Sequence, residues 1–393
     1  MKYGKIQFAN KTKPRNTDIK HNTTILEQIL SFIDKKVFEK IVEKTGADKW
    51  IKKFNTWNQL LVMILAQIFT AHGLRSIENV ANDNRKILKK VGVVKNVSRS
   101  TISYVNSRRD PKVFEEVFRY LFSQLKSPAK KLFSKNLKLI DASEITFIKS
   151  SLFNWAEFRK TKDGVKIHVK FDLDKNAPEK IFMENGKKHE NKTLSQMDLT
   201  ENDIAVFDRG YNNYKQYGDF CKNNVQFVTR LKSNASFDVI EERKCDGKQI
   251  IFDKIIKFNG SSVSKKCSYE LRIIKSIDEK TGKSITILTN ILDENAKTIA
   301  LMYKKRWNIE IFFKEIKQNL KIKSFYGTSK NAVWTQILIA MIVYLLYMLL
   351  KQNKSNFKNF TLFCNELPLI LFQTKHLSRW FSKKKKQKPK KSL

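Results

Sequence analysis

Residues 303–321 read YKKRWNIEIFFKEIKQNLK, and the spacing of their apolar and polar residues predicts an amphipathic helix within a helical run from about 294 to 322. At about 3.6 residues per turn, Ile309, Phe312, Phe313, Ile316 and Leu320 fall on one apolar stripe. Tyr303, Arg306, Glu310 and Lys317 share a narrow polar face on the other side. An ordinary surface helix with a Glu310–Lys314 pair would account for the stripe. It would not account for a tyrosine and an arginine in the two turns before a single acid. The face suits a site where one carboxylate works among cationic and aromatic neighbours.

Two acids upstream fit the same pattern. Asp141 follows the apolar run LKLI and Asp208 follows IAVF, so each is expected at the C-terminal edge of a strand, where α/β sheets open to their ligands. Aspartate is also common after strands as a turn or cap residue, so this pair gains its meaning from the third element.

Around these positions the sequence predicts a mixed sheet. NLKLIDASEITF, VKIHVKFDL and KIFMEN, the last closing on Asn185-Gly186, form a strand meander. A polar helix near Ser195, the strand at 204–207, a helix after Tyr211 and the strand VQFVTRL follow. Residues from about 235 to 290 alternate short strands with turns at Asp246-Gly247, Asn259-Gly260 and Thr281-Gly282, which reads as a β-rich insertion. The first third is helical, with a capping box at Thr24 and Glu27, a helix from Thr56 and another after Asp110-Pro111. Between these, a helix, a turn at Gly92 and a helix capped by Ser98 resemble a helix-turn-helix that would turn Arg99, Ser100 and Thr101 towards DNA; a plain packing module fits the pattern equally.

Composition points the same way. The 393 residues carry 77 Lys and Arg against 38 Asp and Glu, a formal charge of +39 spread along the whole chain. Such a charge is the footprint of a nucleic-acid partner rather than of one membrane-binding segment. Cys221, Cys245, Cys267 and Cys364 lack zinc spacing and read as reduced thiols. The first twenty residues have no signal-peptide core, so a cytoplasmic protein is expected. AVWTQILIAMIVYLLYMLL, residues 332–350, approaches the length of a membrane span, yet it stands alone after a lysine-rich helix and is expected to be a buried core helix.

The spacing of Tyr303, Arg306, Glu310 and Lys317 resembles the Y-R-E-K signature of bacterial insertion-sequence transposases of the insertion-sequence-four group. Asp141 in IDAS and Asp208 in FDRGY look like that family's first and second aspartate motifs. The resemblance implies an α/β, ribonuclease-H-like mixed sheet flanked by helices, interrupted by the β-rich insertion, with an all-α N-terminal domain. Its implied domains are 1–126, a helical DNA-binding domain; 130–234 and 291–372, the two parts of the catalytic domain; 235–290, the insertion; and 373–393, a basic tail.

The resemblance further implies a DDE transposase in which Asp141, Asp208 and Glu310 are catalytic and hold two Mg²⁺ ions, for which Mn²⁺ can substitute. Such a pair activates the attacking oxygen and stabilises the leaving one, and carboxylates are the ligands Mg²⁺ prefers. Asp141 is expected to bridge the ions. Tyr303, Arg306 and Lys317 would bind DNA, the two cations holding phosphates and the tyrosine stacking on a base or bonding to the backbone. The partners would be double-stranded DNA, as element ends and target, and a second copy in an end-paired homodimer, with no membrane. A metal-dependent nuclease without strand transfer and a catalytically decayed DNA-binding protein are the competing readings. His168 and His189 are weaker candidates, and Trp307, Phe325 and Tyr326 can serve as stacking or core residues.

Overall fold

The computed structural model describes residues 23–93, 96–148, 153–156, 162–187, 193–245, 249–277, 281–352 and 359–374. His189, the Asp246-Gly247 turn and the basic tail beyond Thr374 lie outside the described residues. The chain divides into two compact units, one formed by 127–314 and the other by 1–126 together with 315–393. The second boundary divides the segment 291–372 expected to complete the catalytic part.

The unit at 127–314 is built on one nine-stranded sheet. Its strands are β1 (Asn136–Ile148), β2 (Lys162–Asp172), β3 (Ala177–Asn185), β4 (Asp203–Phe207), β5 (Gln226–Arg230), β6 (Phe237–Arg243), β7 (Ile250–Phe258), β8 (Leu271–Ile277) and β9 (Ser284–Thr289). Their order is β3-β2-β1-β4-β5-β9-β8-β7-β6. β1 to β3 form an antiparallel meander, and β4 and β5 run parallel to β1. This is the mixed sheet the residue pattern predicts and the ribonuclease-H-like arrangement the family resemblance implies. The insertion does not form a separate body: β9 pairs antiparallel with β5, so β6 to β9 lengthen the same sheet. The polar helix expected near Ser195 is only a short 3₁₀ turn, Leu194–Met197.

Register is fixed by patterning and by a buried charge cluster. Nearly every residue of β2 is buried, as expected for a strand paired on both edges within a covered sheet. Lys138 on β1 lies 2.6 Å from Asp172 on β2 and 2.8 Å from Glu179 on β3. A one-residue slip would leave that ammonium buried without its carboxylates. Aromatic residues fill one core: Tyr217 stacks on Phe227 with centroids 4.8 Å apart, beside Phe207 and Phe220. Tyr217 and Phe220 come from the helix at Tyr214–Lys222.

The other unit is helical. From the N-terminal side come α1 (Ile25–Leu30), α2 (Lys35–Thr45), α3 (Thr56–Ile68), α4 (Leu74–Asp83), α5 (Arg85–Lys90), α6 (Arg99–Arg108) and α7 (Lys112–Gln124). The sheet unit contains α8 (Tyr214–Lys222), α9 (Ser261–Ser264) and α10 (Ala296–Lys304). α11 (Trp307–Asn319) carries the unit boundary, and α12 (Lys330–Gln352) and α13 (Phe360–Ile370) complete the helical unit. Both arms of the capping box at α1 form, with Glu27 N–H donating to Thr24 Oγ1 at 3.2 Å and Thr24 N–H to Glu27 Oε2 at 2.7 Å. Gly92 makes the expected turn at φ 101°, packed so closely on Trp57 that a Cβ would sit 3.1 Å from the indole nitrogen. α12 is long and apolar enough to cross a membrane, but every side chain from Ala332 to Leu350 is buried, and it packs on α3, α6 and α7. It is the core helix of its unit.

The helical run expected from about 294 to 322 is instead two helices. Lys305 and Arg306 form a tightened turn between them, where Arg306 N–H donates to Tyr303 O at 3.0 Å and Ile309 N–H to Arg306 O at 3.2 Å. Asn295 caps α10, its Oδ1 accepting from Lys297 N–H at 2.9 Å. The insertion holds the approach to this cap. Arg272 on β8 donates to the carbonyls of Leu292 and Glu294 at 2.9 and 2.5 Å while forming a buried, two-pronged pair with Asp253 on β7 at 2.8 and 2.6 Å.

Replacing one partner of that buried pair strands a charge. Asp253→Ala is therefore expected to lower unfolding free energy by about 3–5 kcal/mol in urea denaturation. Alkaline pH is a second lever. Burial raises the phenol pKa of Tyr217, Tyr326, Tyr344 and Tyr347 above the ordinary 10.0. The folded state thus holds these protons more tightly than the unfolded one, and the associated stability is complete below pH 10 and lost above it. Denaturation midpoints measured as a function of pH are expected to fall once pH rises past 10.

Candidate active site

β1 and β4 pair in parallel from Asn136 opposite Asp203 to Ile140 opposite Phe207. The next residue on each strand is an aspartate, so Asp141 and Asp208 leave the same end of the pair side by side. Asp141 does not end its strand, contrary to the edge expected after LKLI and in line with the strand predicted over NLKLIDASEITF. β1 continues to Ile148 because its pairing with β2 outlasts its pairing with β4, and Asp141 lies opposite Val169 within that longer hairpin. Asp208 does stand at a strand end, opening the 3₁₀ turn Arg209–Tyr211 through its carbonyl, which accepts from Tyr211 N–H at 3.1 Å.

The turn after Asp208 is held from two sides. Tyr211 is buried, with its hydroxyl 3.4 Å from His168 Nδ1. His168 is itself fully buried, stacked on Phe182 at 4.9 Å and 3.7 Å from Glu184, which places it in the core. Asn212 donates to the Arg230 carbonyl at 3.0 Å and accepts from Thr229 Oγ1 at 3.2 Å, tying the turn to β5.

α10 and α11 bring the third carboxylate. Ile309, Phe312, Phe313, Ile316 and Leu320 are all buried, as the apolar stripe requires, and Phe312 meets Phe171 of β2 with ring centroids 5.2 Å apart. Glu310 therefore stands on the first turn of α11, away from the apolar stripe. It pairs back with Arg306 rather than forward with Lys314. Arg306 Nη2 lies 2.5 Å from Glu310 Oε1, and Nη1 lies 3.4 Å from Asp141 Oδ2. One guanidinium, only 14% exposed, bridges carboxylates from β1 and α11.

Tyr303 differs from expectation. Its ring is 7% exposed and carries Arg306 over its face at 5.9 Å, so it is not open for stacking on a base. Its hydroxyl lies 3.5 Å from Asp208 Oδ1. Burial, above all, raises the phenol pKa, with Asp208 adding to the rise and Arg306 and Arg230 opposing it. Burial alone would lower the pKa of Arg306, but the charges of Tyr303, Glu310 and Asp141 reverse this and raise it. Lys317 is in the last turn of α11, seven residues past Glu310 and beyond the unit boundary. Trp307 is 61% exposed and so is not the core residue that flanking an amphipathic helix suggests. Tyr326 is structural, its hydroxyl donating to the carbonyls of Ala66 and Ala71 at 3.3 and 3.0 Å. Arg230 and Asn212 were not singled out from the sequence; an arginine closing the strand beside β4 was the available signal.

The structure thus gathers Asp141, Asp208, Tyr303, Arg306 and Glu310 from three distant segments. Residues 133–346, more than half of the chain and all five of these positions, match the family described as the transposase DDE domain. The chain is a DDE transposase. Residues 21–94 match a second family, described as a domain of unknown function. The transposase is 33% identical over 246 residues to a putative transposase of Sinorhizobium fredii, covering 61% of this chain and 68% of that one. It is 27% identical over 249 residues to a probable transposase for insertion sequence element IS5377 of Geobacillus stearothermophilus, covering 60% and 65%. A cryo-EM structure of the piggyBac transposase synaptic complex with hairpin DNA aligns with a TM-score of 0.48 at 12% identity, over 89% of this chain and 80% of that one.

A DDE domain implies a divalent metal, and the donor set here fits one: three carboxylates supply hard oxygen ligands, and two already share a cation in the Arg306 guanidinium. Among the described residues no three His, Cys, Asp or Glu side chains are closed into a single ligand shell. Arg306 would compete with a metal ion held by Asp141 and Glu310. Arg306→Gln is expected to lower the metal-free melting temperature, because two partly buried carboxylates lose their counter-charge. Addition of Mg²⁺ is expected to raise the melting temperature of this variant more than that of wild type in differential scanning fluorimetry. An equal response in the two proteins would show that the guanidinium and the ion occupy separate places.

Proposed function

We propose that this transposase binds the ends of an insertion sequence and catalyses Mg²⁺-dependent cleavage and strand transfer of DNA, with Asp141, Asp208 and Glu310 as metal ligands and catalytic groups. One observation carries the reading: the β1–β4 register sets two aspartates side by side, and a cation-bearing helix brings a glutamate to the first of them through Arg306. A pair of Mg²⁺ ions, for which Mn²⁺ can substitute, supplies Lewis-acid activation of the attacking oxygen and neutralises charge on the leaving one.

The chain's own residues supply the rest. The Tyr303 hydroxyl, kept protonated by burial, orients Asp208. Arg306 is permanently charged and planar, suited to gripping a phosphate by two parallel hydrogen bonds when its carboxylate partners are taken up by metal. Lys317 adds a point charge further along α11, and Arg230 a second cation near Tyr303. Both hold the backbone against its own repulsion. Water or a 3′-hydroxyl is then placed for in-line attack by position. Joining two ends in one complex calls for a homodimer, which brings two such sites together on the target duplex.

The test is cleavage of labelled duplexes carrying the boundaries of the DNA that encodes this chain, with Mg²⁺ or with EDTA. Wild type is expected to nick at the boundary and to give joined products. Asp141→Ala, Asp208→Ala and Glu310→Ala are each expected to lower the rate by at least about 10³-fold while retaining DNA binding. Cutting that survives loss of any one carboxylate would overturn the ligand assignment. Nicking without joined products would make the chain a nuclease.

A further inference from the structure

His168 occupies a place that an apolar residue would fill at lower cost. It is fully buried on β2, with the ring of Phe182 on β3 stacked on it at 4.9 Å and the Glu184 carboxylate 3.7 Å from Nε2. The Glu184 side chain is only 9% exposed, and Tyr211, on the other side of the imidazole, is fully buried. Taking a carboxylate, an imidazole and a phenol out of water is unfavourable, and leucine or phenylalanine at these positions would avoid it. A row of polar groups does one thing that apolar packing does not. It fixes a distance and a direction through hydrogen-bond geometry.

The row ends at the turn that carries Asp208. Tyr211 N–H donates to the Asp208 carbonyl at 3.1 Å, which closes the turn, and the Tyr211 hydroxyl lies 3.4 Å from His168 Nδ1. The strand order here is β2-β1-β4, so a side chain that starts at the end of β4 and reaches β2 must cross β1. The residue of β1 opposite His168 is Ala142, whose methyl group is small enough to leave that path open. Ala142 packs against the aromatic cluster that contains Tyr211. It also directly follows Asp141, donating its N–H to Asp141 Oδ1 at 2.8 Å. His168 is therefore joined by strand pairing to the segment that carries Asp141, and through Tyr211 to the segment that carries Asp208.

Its action on the carboxylates is indirect. Side chains alternate across a strand, so His168 and Ala142 share one face of the sheet while Asp141, Val169 and Phe171 share the other. Phe312 of α11 meets Phe171 on that second face, the one to which Glu310 is brought. His168 lies on the face away from the carboxylates and is not placed to bind an ion they hold.

We propose that His168 is a positioning residue for Asp208: its Nδ1 accepts from the Tyr211 hydroxyl, Glu184 keeps the ring proton on Nε2, and the linked turn holds the Asp208 carboxylate where a metal ion needs it. This role rests on the reading of Asp208 as a metal ligand. Polar groups one step behind a metal's ligands change its affinity by about 10–100-fold when they are removed.

Mn²⁺ binding to the full chain is measured by isothermal titration calorimetry, with urea unfolding followed in parallel. Tyr211→Phe deletes a single oxygen and keeps the ring that fills the core, and His168→Leu removes the acceptor. Each is expected to weaken Mn²⁺ binding at least about ten-fold. The two changes combined are expected to cost no more than either alone, because each breaks the same link. His168→Asn, whose amide oxygen can accept from the Tyr211 hydroxyl, is expected to restore most of the affinity. Tyr217→Phe deletes a hydroxyl from the same aromatic core without touching the turn, and it is expected to leave Mn²⁺ affinity unchanged. A purely structural part for Tyr211 would give it the same behaviour as Tyr217. Wild-type affinity in Tyr211→Phe and His168→Leu, with Asp208→Ala impaired, would overturn the positioning role and leave the ligand assignment intact. Losses that add in the double variant, or that His168→Asn does not restore, would also overturn it. Wild-type Mn²⁺ binding by Asp208→Ala would overturn the ligand assignment, and the positioning role with it.

Discussion

Five rungs of parallel pairing between β1 and β4, ending at Ile140 opposite Phe207, set the geometry on which the rest of the site depends. Because side chains alternate along a strand, a slip of one residue would turn one aspartate into the core and the other away from it. The fold resists that slip at the opposite end of the same strands. Buried Lys138 is surrounded there by Asp172, Glu179 and, at 4.0 Å, Asp203 at the start of β4. Burial by itself would lower the pKa of this ammonium, but Glu179 and Asp172 outweigh it and raise the pKa. Alternative pairings would bury it unpaired.

The insertion has a mechanical part in this arrangement. β6 to β9 continue the sheet from β5, and through Arg272, and through Arg243 donating to Leu292 O at 2.5 Å, they hold the loop that leads into α10. The position of α10, of the tightened turn at Lys305-Arg306 and of Glu310 follows from that anchor. A carboxylate more than 160 residues from Asp141 in sequence, at position 310, is thereby delivered to it by the sheet's own extension. Arg306 then bridges Asp141 and Glu310 with its guanidinium.

Much of this was legible in the sequence because the signals were local or periodic. The capping box, the strand meander, the insertion, the apolar stripe of α11 and the buried α12 all rest on side-chain periodicity and turn chemistry. Three features were not legible, for a shared reason. The break at Lys305-Arg306 sits in a run with good helix formers on both sides, and Arg306's bond to Asp141 in that turn is tertiary. The strand predicted over NLKLIDASEITF forms, but that its pairing with β4 stops at Ile140 while its pairing with β2 runs on past Asp141 is set by tertiary partners. Tyr303 turns inward to Asp208, whereas its sequence spacing put it on the same outward face as Glu310. Each depends on bonds between residues far apart in the chain, where spacing carries no information.

Everything proposed for the chemistry turns on Asp141, Asp208 and Glu310 forming one metal centre from which Arg306 withdraws. Anomalous diffraction from crystals of the full chain grown with Mn²⁺ tests this most directly. Manganese peaks bounded by these three carboxylates are expected, with the Arg306 guanidinium no longer bridging Asp141 and Glu310. Manganese bound elsewhere, or Arg306 still bridging the two acids in the metal-loaded crystal, would contradict it.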